Sequence, residues 1–224
     1  MCGRFGLFSS LEIIMDEFDV EKVMYDEGPR YNIAPEQDIA AVYQKENRIL
    51  GSLKWGLIPH WSKEKDTDYK MINARAETLE EKSSYKGPLK GSRCIIPADG
   101  FYEWRDAGKR KIPYFIRRED GKPFGMAGLY DEWKGGNDRI LSCTIITTYP
   151  NKLVGKIHDR MPAILEPGDH DRWLDPDLGD VEEIKSMLSP IGSDMLEAYE
   201  VSTMVNDPTK EGPDVIEPAP DKWF

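Results

Sequence analysis

Met1-Cys2-Gly3-Arg4-Phe5 places a cysteine directly behind the initiator. Removal of Met1, a common fate of an initiator ahead of a small side chain, leaves Cys2 with a free α-amine and a thiol on adjacent carbons. The amine, with a pKa near ~8, is largely available at cellular pH, unlike a lysine near ~10.4. The thiol is a strong nucleophile once ionised, from about 8.5. Given an aldehyde, the amine can form a Schiff base and the thiol can close on it as a five-membered thiazolidine. Taken alone, a second-position cysteine is more often an ordinary residue. Other parts of the chain have to supply the case.

Three further stretches set polar side chains among apolar ones. Glu103 stands between Tyr102 and Trp104. Strand alternation sends it to the face opposite those rings, either to solvent or into a pocket where desolvation suits it to proton transfer. His158, beside Asp159 and Arg160, is the natural group for acid–base work near neutral pH, although a lone histidine is more often structural. Asn73 offers a donor and an acceptor, and Arg75 offers a planar fork for phosphate.

These residues need elements to hold them. Ser9-Ser10-Leu11-Glu12 reads as a capping box, with Leu11, Ile14, Met15 and Phe18 on one helical face. Ile39 to Gln44 and Ile49 to Trp55 read as a strand pair, with Trp55 in the core and Trp61 partly exposed. Arg93 to Pro97 is a strand turning at Asp99-Gly100 into Phe101 to Trp104. Ile112 to Arg117 and Phe124 to Tyr130 read as a hairpin over Asp120-Gly121. Arg139 to Thr148 is the most β-branched run and reads as a central strand. Asp180 to Leu188 is helical, and Leu196 to Ser202 is a strand. The expected architecture is α+β, one domain over residues 1–224. Its core is barrel-like and mainly antiparallel, with a few peripheral helices.

The 224 residues, 39% of them hydrophobic, suffice for a real core. No apolar run approaches the roughly 18 residues of a membrane span, and no basic-then-apolar leader opens the chain. A cytoplasmic protein is expected. Cys2, Cys94 and Cys143 form neither a disulfide framework nor a metal set, so no metal or cofactor is expected; Cys94 and Cys143 read as inert core. The formal charge of −11 is uneven. Lys82 to Arg118 holds ten Lys/Arg against three acids, whereas Glu166 to the end holds sixteen acids against four bases. The basic block is the candidate footprint for phosphates.

Cys2-Gly3-Arg4-Phe5, Tyr31-Asn32-Ile33-Ala34-Pro35, Trp55-Gly56-Leu57, Ile72 to Thr78, Phe101-Tyr102-Glu103-Trp104 and Ile157 to Pro162 occur in that order. The set resembles the SOS-response-associated peptidase (SRAP) family, essentially from end to end. The resemblance implies a sensor of abasic sites in single-stranded DNA that forms a covalent DNA–protein crosslink, a thiazolidine, and shields the lesion. Carried over by position, Cys2 attacks the ring-opened sugar. Asn73 positions Cys2 and the sugar, and His158 is the acid/base for ring opening. Glu103 handles protons at the amine and imine in a lyase-like manner. Arg4 and Arg75 match phosphate-holding positions; Pro35, Trp61 and Thr147 match positions lining the DNA path. Some members carry two adjacent tryptophans where this chain has Trp61-Ser62. The peptidase label refers to removal of residues ahead of Cys2, here Met1 alone. A monomer is expected, acting on single strands or single/double-strand junctions and nucleoid-associated when bound. Two other readings use the same residues: an N-terminal-nucleophile cysteine hydrolase, and a non-covalent single-stranded DNA-binding module.

Overall fold

The β-branched run of residues 139–148 is the seam along which the sheet closes. The computed structural model describes residues 2–65 and 70–219. Among them, β1 Phe5–Leu7, β2 Lys22–Val23, β3 Arg30–Ile33, β4 Asp38–Gln44, β5 Arg48–Trp55 and β6 Asn73–Arg75 precede the strand β7 Arg93–Ala98. There follow β8 Gly100–Asp106, β9 Lys111–Arg118, β10 Phe124–Gly135, β11 Asp138–Thr148, β12 Met161–Pro162, β13 Ile164–Leu165 and β14 Leu196–Glu200. Among the described residues four short α-helices lie outside: α1 Leu11–Glu17, α2 Ser83–Gly91, α3 His170–Leu174 and α4 Val181–Ser186.

β11 pairs antiparallel with β10, β10 with β7, β7 with β4, and β4 with β5. β5 then returns in parallel to β11, with Ser142 opposite Lys54 and Cys143 opposite Trp55. Five strands thus close on themselves, and closure removes the edges an open sheet would expose. Both faces of this closed sheet are buried: Trp55, Leu53, Ile145 and Met126 lie on one, Leu50 and Ile95 on the other, all at most 1% exposed. Cys94 and Cys143 are free and buried, and burial pushes both thiols up, so they are inert as expected. The α+β class with a barrel-like, mainly antiparallel core holds.

A second sheet, β14-β9-β8-β1-β3, carries the start of the chain. Phe5 lies opposite Ile33 on one side and Phe101 on the other, and its ring meets Trp55 edge-on at 5.3 Å. The step from β7 to β8 passes the chain between the two sheets at Asp99. The Asp99 carboxylate accepts from the N–H groups of Phe8 and Ser9 at 2.5 and 2.7 Å and from the Ser9 hydroxyl.

Two local expectations change. Ser10 caps α1, because Ser9 is committed to Asp99. Ile14 and Phe18 are buried, whereas Leu11 is exposed. The Asp120-Gly121 turn also forms, with Gly121 at φ 71, but the strands flanking it do not pair. β9 pairs with β8 and β14, while β10 pairs with β7, β11 and β13. The turn signal was real, but β10 opens with six buried residues, and burial of both faces draws it into the barrel.

Gly100 starts β8 opposite Gly6, and a Cβ there would fall within the edge of the Phe115 ring. Gly100→Ala is expected to destabilise the fold by about 1–3 kcal/mol through overpacking, measured as a lowered denaturant midpoint at unchanged slope.

Candidate functional site

β1 brings the chain's beginning into the interior. Cys2 is 0% exposed, and the backbone N–H of Tyr102 donates to the Arg4 carbonyl at 2.9 Å. β6 lies parallel to β11, with Asn73 opposite Ile145. From that position the Asn73 side-chain nitrogen donates to the Cys2 carbonyl at 2.9 Å. Asn73 Oδ1 is buried with no hydrogen-bond partner among the described residues. An unpaired acceptor in a dry site is costly unless a ligand meets it.

Glu103 comes from β8 and is 2% exposed. Alternation did turn it away from Tyr102, but both faces of β8 are covered at this point, so it enters the interior and not the solvent. His158 follows a short 3-10 turn, Val154–Lys156, and its Nε2 stands 3.8 Å from Glu103 Oε2. The Arg160 backbone N–H donates to His158 Nδ1 at 3.0 Å, which leaves the ring's proton on Nε2, the nitrogen facing Glu103. Asp159 Oδ1 also lies 3.0 Å from Nδ1, on a side chain 88% exposed.

Burial governs the proton affinities. It pushes the Cys2 thiol well above its ordinary range, and the nearby Glu103 carboxylate adds to the rise. It pushes Glu103 up to about 7. It lowers His158 below the usual imidazole value, favouring the neutral ring. The four residues named for catalysis meet in one largely enclosed place, where burial favours a neutral thiol and a neutral histidine and holds a carboxyl group near neutrality.

The residues named for DNA contact are spread more widely. Arg75 is exposed and shares the Asn73 face of β6. Arg4 is half-buried, its Nη1 donating to Asn32 Oδ1 at 2.7 Å and to the Val205 carbonyl at 2.6 Å. Pro35 is half-buried in the turn after β3, beside Glu36 at φ 70. Trp61 is 54% exposed, its loop anchored by the Trp133 indole on the Ser62 carbonyl and by Asp131 on His60. Thr147 is 0% exposed and engages the Ala74 carbonyl and Arg160, so its side chain supports the site from beneath.

The basic block is not one surface. Arg93 is buried, with its guanidinium on the carbonyls of Trp173, Leu89 and Asp175. Arg117 pairs with Glu197, and Arg118 with Asp120 and Glu17. The exposed cations left divide between α2 with its N-cap (Lys82, Lys86, Lys90) and the β8–β9 hairpin. A charge count along the chain carries no information about direction.

Three residues inside the motif stretches had no assigned role. Asn32 is fully buried and ties Arg4 to the carbonyls of Asp207 and Lys210. Arg160 grips both Glu77 carboxylate oxygens at 2.8 and 3.0 Å and donates to the Thr147 carbonyl at 2.6 Å. Their signal was a charged or amide side chain recurring within short apolar motifs. Among the described residues no group of three or more His, Cys, Asp or Glu could hold a metal ion, and no helix is long and apolar enough to cross a membrane.

Comparison with known proteins identifies the family. A family model described as SOS response associated peptidase (SRAP) matches residues 1–208. Abasic site processing protein YoqW of Bacillus subtilis (strain 168) is 47% identical over 224 residues, 97% of this chain and 99% of that one. Abasic site processing protein HMCES of Gallus gallus is 35% identical, covering 85% of this chain and 66% of its own length. A crystal structure of a protein from Bacteroides thetaiotaomicron superposes with a TM-score of 0.87 at 29% identity, over 97% of this chain and 100% of that chain. The chain belongs to the SOS response associated peptidase family.

Proposed function

We propose that this protein senses abasic sites in single-stranded DNA and traps the opened sugar covalently on Cys2. One observation carries the reading. Asn73 holds the Cys2 carbonyl in the same buried place where Glu103 and His158 face each other. The names of the relatives, abasic site processing proteins, point to the same lesion. The proposal requires loss of Met1, which lies outside the described residues.

An abasic sugar is mostly a closed hemiacetal in equilibrium with an aldehyde. Ring opening leaves a proton to be placed on the ring oxygen, and the His158 Nε2–H is the donor so oriented. The Cys2 amine adds to the aldehyde carbon, and the carbinolamine loses its oxygen as water to give an iminium. The Cys2 sulfur then adds to that carbon while its proton passes to a base. The overall change is loss of one water and formation of one C–N and one C–S bond. Because burial keeps the thiol protonated, the base is essential, and a carboxylate at about 7 both accepts and returns protons. Asn73 Oδ1 is available to hold the sugar hydroxyl or the amine. Arg75 and the uncommitted edge of Arg4 would hold flanking phosphates, with Trp61 and Pro35 shaping the strand's path.

Intact-mass spectrometry after mixing with single-stranded DNA bearing one abasic site tests this directly. The expected product is protein plus DNA minus one water, mapped to Cys2; Cys2→Ser should lose the stable adduct. Complete Met1 removal with no adduct would sink the reading. Glu103 supplies a second test. Its folded pKa of about 7 lies above an unfolded value of about 4.3. Its proton therefore stabilises the fold fully below the unfolded value, and that contribution fades as pH rises through about 7. Relative to Glu103→Gln, the wild-type protein should lose about 3 kcal/mol between roughly pH 4 and pH 8 in denaturant titrations.

A further inference from the structure

The outer half of the β8–β9 hairpin continues from the site along the face that Glu103 occupies. Arg105 is two residues beyond Glu103 on the same face of β8, about 7 Å along the strand. Tyr114 stands directly across from Glu103 in β9, with Glu200 of β14 on its other side. The Arg105 guanidinium lies 5.1 Å from the centre of the half-buried Tyr114 ring, although Arg105 itself is exposed. Lys111, across from Asp106, lies close enough for its charge to bear on His158.

A guanidinium resting on a ring uses its π face for that contact, and its N–H donors remain in its own plane, pointing outward. The ring removes the rotamer freedom that an exposed arginine would otherwise lose on binding. The adjacent acids do not consume the cation. Asp106 accepts from the Gly108 backbone N–H, and Glu200 lies beyond the ring. The tip between them adds Lys109 and Arg110.

We infer that Arg105, seated on Tyr114, clamps a backbone phosphate of the nucleotide flanking the trapped sugar, with Lys111 as its neighbour. This rests on the abasic-site reading but assigns a new subsite to it. The strand would cross the site with one phosphate on the Arg75 side and one on the hairpin side. The sugar is thereby held from both ends over Cys2.

The test measures binding of a single-stranded oligonucleotide carrying one tetrahydrofuran, an unreactive abasic analogue, at several salt concentrations. Arg105→Ala should weaken binding about tenfold, and the slope of log K against log[salt] should fall by about 0.7, one phosphate's share on a single strand. Arg105→Lys should restore the slope but only part of the affinity, since lysine lacks the planar fork. Lys45→Ala removes another cation that sits over a tyrosine, 5.5 Å from the Tyr43 ring, and should change neither quantity. Arg105→Ala binding like Lys45→Ala overturns the clamp, as does weakened binding with an unchanged salt slope. Because the oligonucleotide cannot react, wild-type protein that binds it yet forms no adduct with a true abasic site overturns the covalent reading alone. Wild-type protein that does not bind it overturns both.

Discussion

The pairing of Phe5 between Ile33 and Phe101 is the constraint from which the site follows. A chain terminus is normally frayed, because few contacts repay the entropy of ordering it. Here three residues of strand are held on both sides, and the Phe5 ring packs on Trp55 of the closed barrel. Cys2 is thus carried inside by a core contact three residues away. A reactive group so placed needs no loop closure to find its partners. Its position is decided when the fold forms.

Burial then sets the chemistry. A cysteine protease or an N-terminal-nucleophile hydrolase works through a thiolate, which calls for an electropositive surrounding that lowers the thiol pKa. The surroundings of Cys2 act in the opposite direction, through both desolvation and the Glu103 carboxylate. Attack by sulfur first would need a base to take the thiol proton before any carbon is activated. Attack by an amine, with sulfur following onto an activated carbon, fits the same surroundings, because Glu103 can take the thiol proton at that later step. A purely binding module, in turn, would have no use for an acidic side chain 2% exposed beside a neutral histidine. Leaving such a group buried costs stability above neutral pH, and sites that accept this cost are commonly those that move protons.

Much of this was legible in the chain, and the failures share a cause. β4, β5, β11, α4 and β14 carry period or β-branching strong enough to be read locally. Trp55 and the two inner cysteines were placed correctly because large apolar side chains have few alternatives. The β9–β10 hairpin was misread because Asp120-Gly121 reports only that the chain turns, whereas which sheet a strand joins depends on partners far away in sequence. Arg93 was counted as a surface cation for the same reason. Its three carbonyl partners come from α2 and from residues some 80 positions distant. Glu103 followed the alternation rule, but the rule alone could not choose between solvent and a pocket, because that depends on what covers the far face of β8. Thr147 sits one register from the site but is turned inward by β11.

The least visible part of the design is the one that orients the histidine. Glu77 and Arg160 form a bidentate pair, and Arg160 also reaches the Thr147 carbonyl and lies 5.1 Å from the Tyr149 ring. These contacts join the segment after β6 to the loop that carries His158, and both to β11. With the Arg160 side chain so held, its backbone N–H is fixed as the donor to His158 Nδ1. That donor favours the tautomer with its proton on Nε2, toward Glu103, while the exposed Asp159 carboxylate at Nδ1 pulls the other way. An ion pair with little exposure contributes modestly to net stability, since desolvation offsets most of its attraction. Its consequence here is geometric. Arg160 acts on the site through the peptide bond it shares with Asp159, a role that no count of charges could reveal.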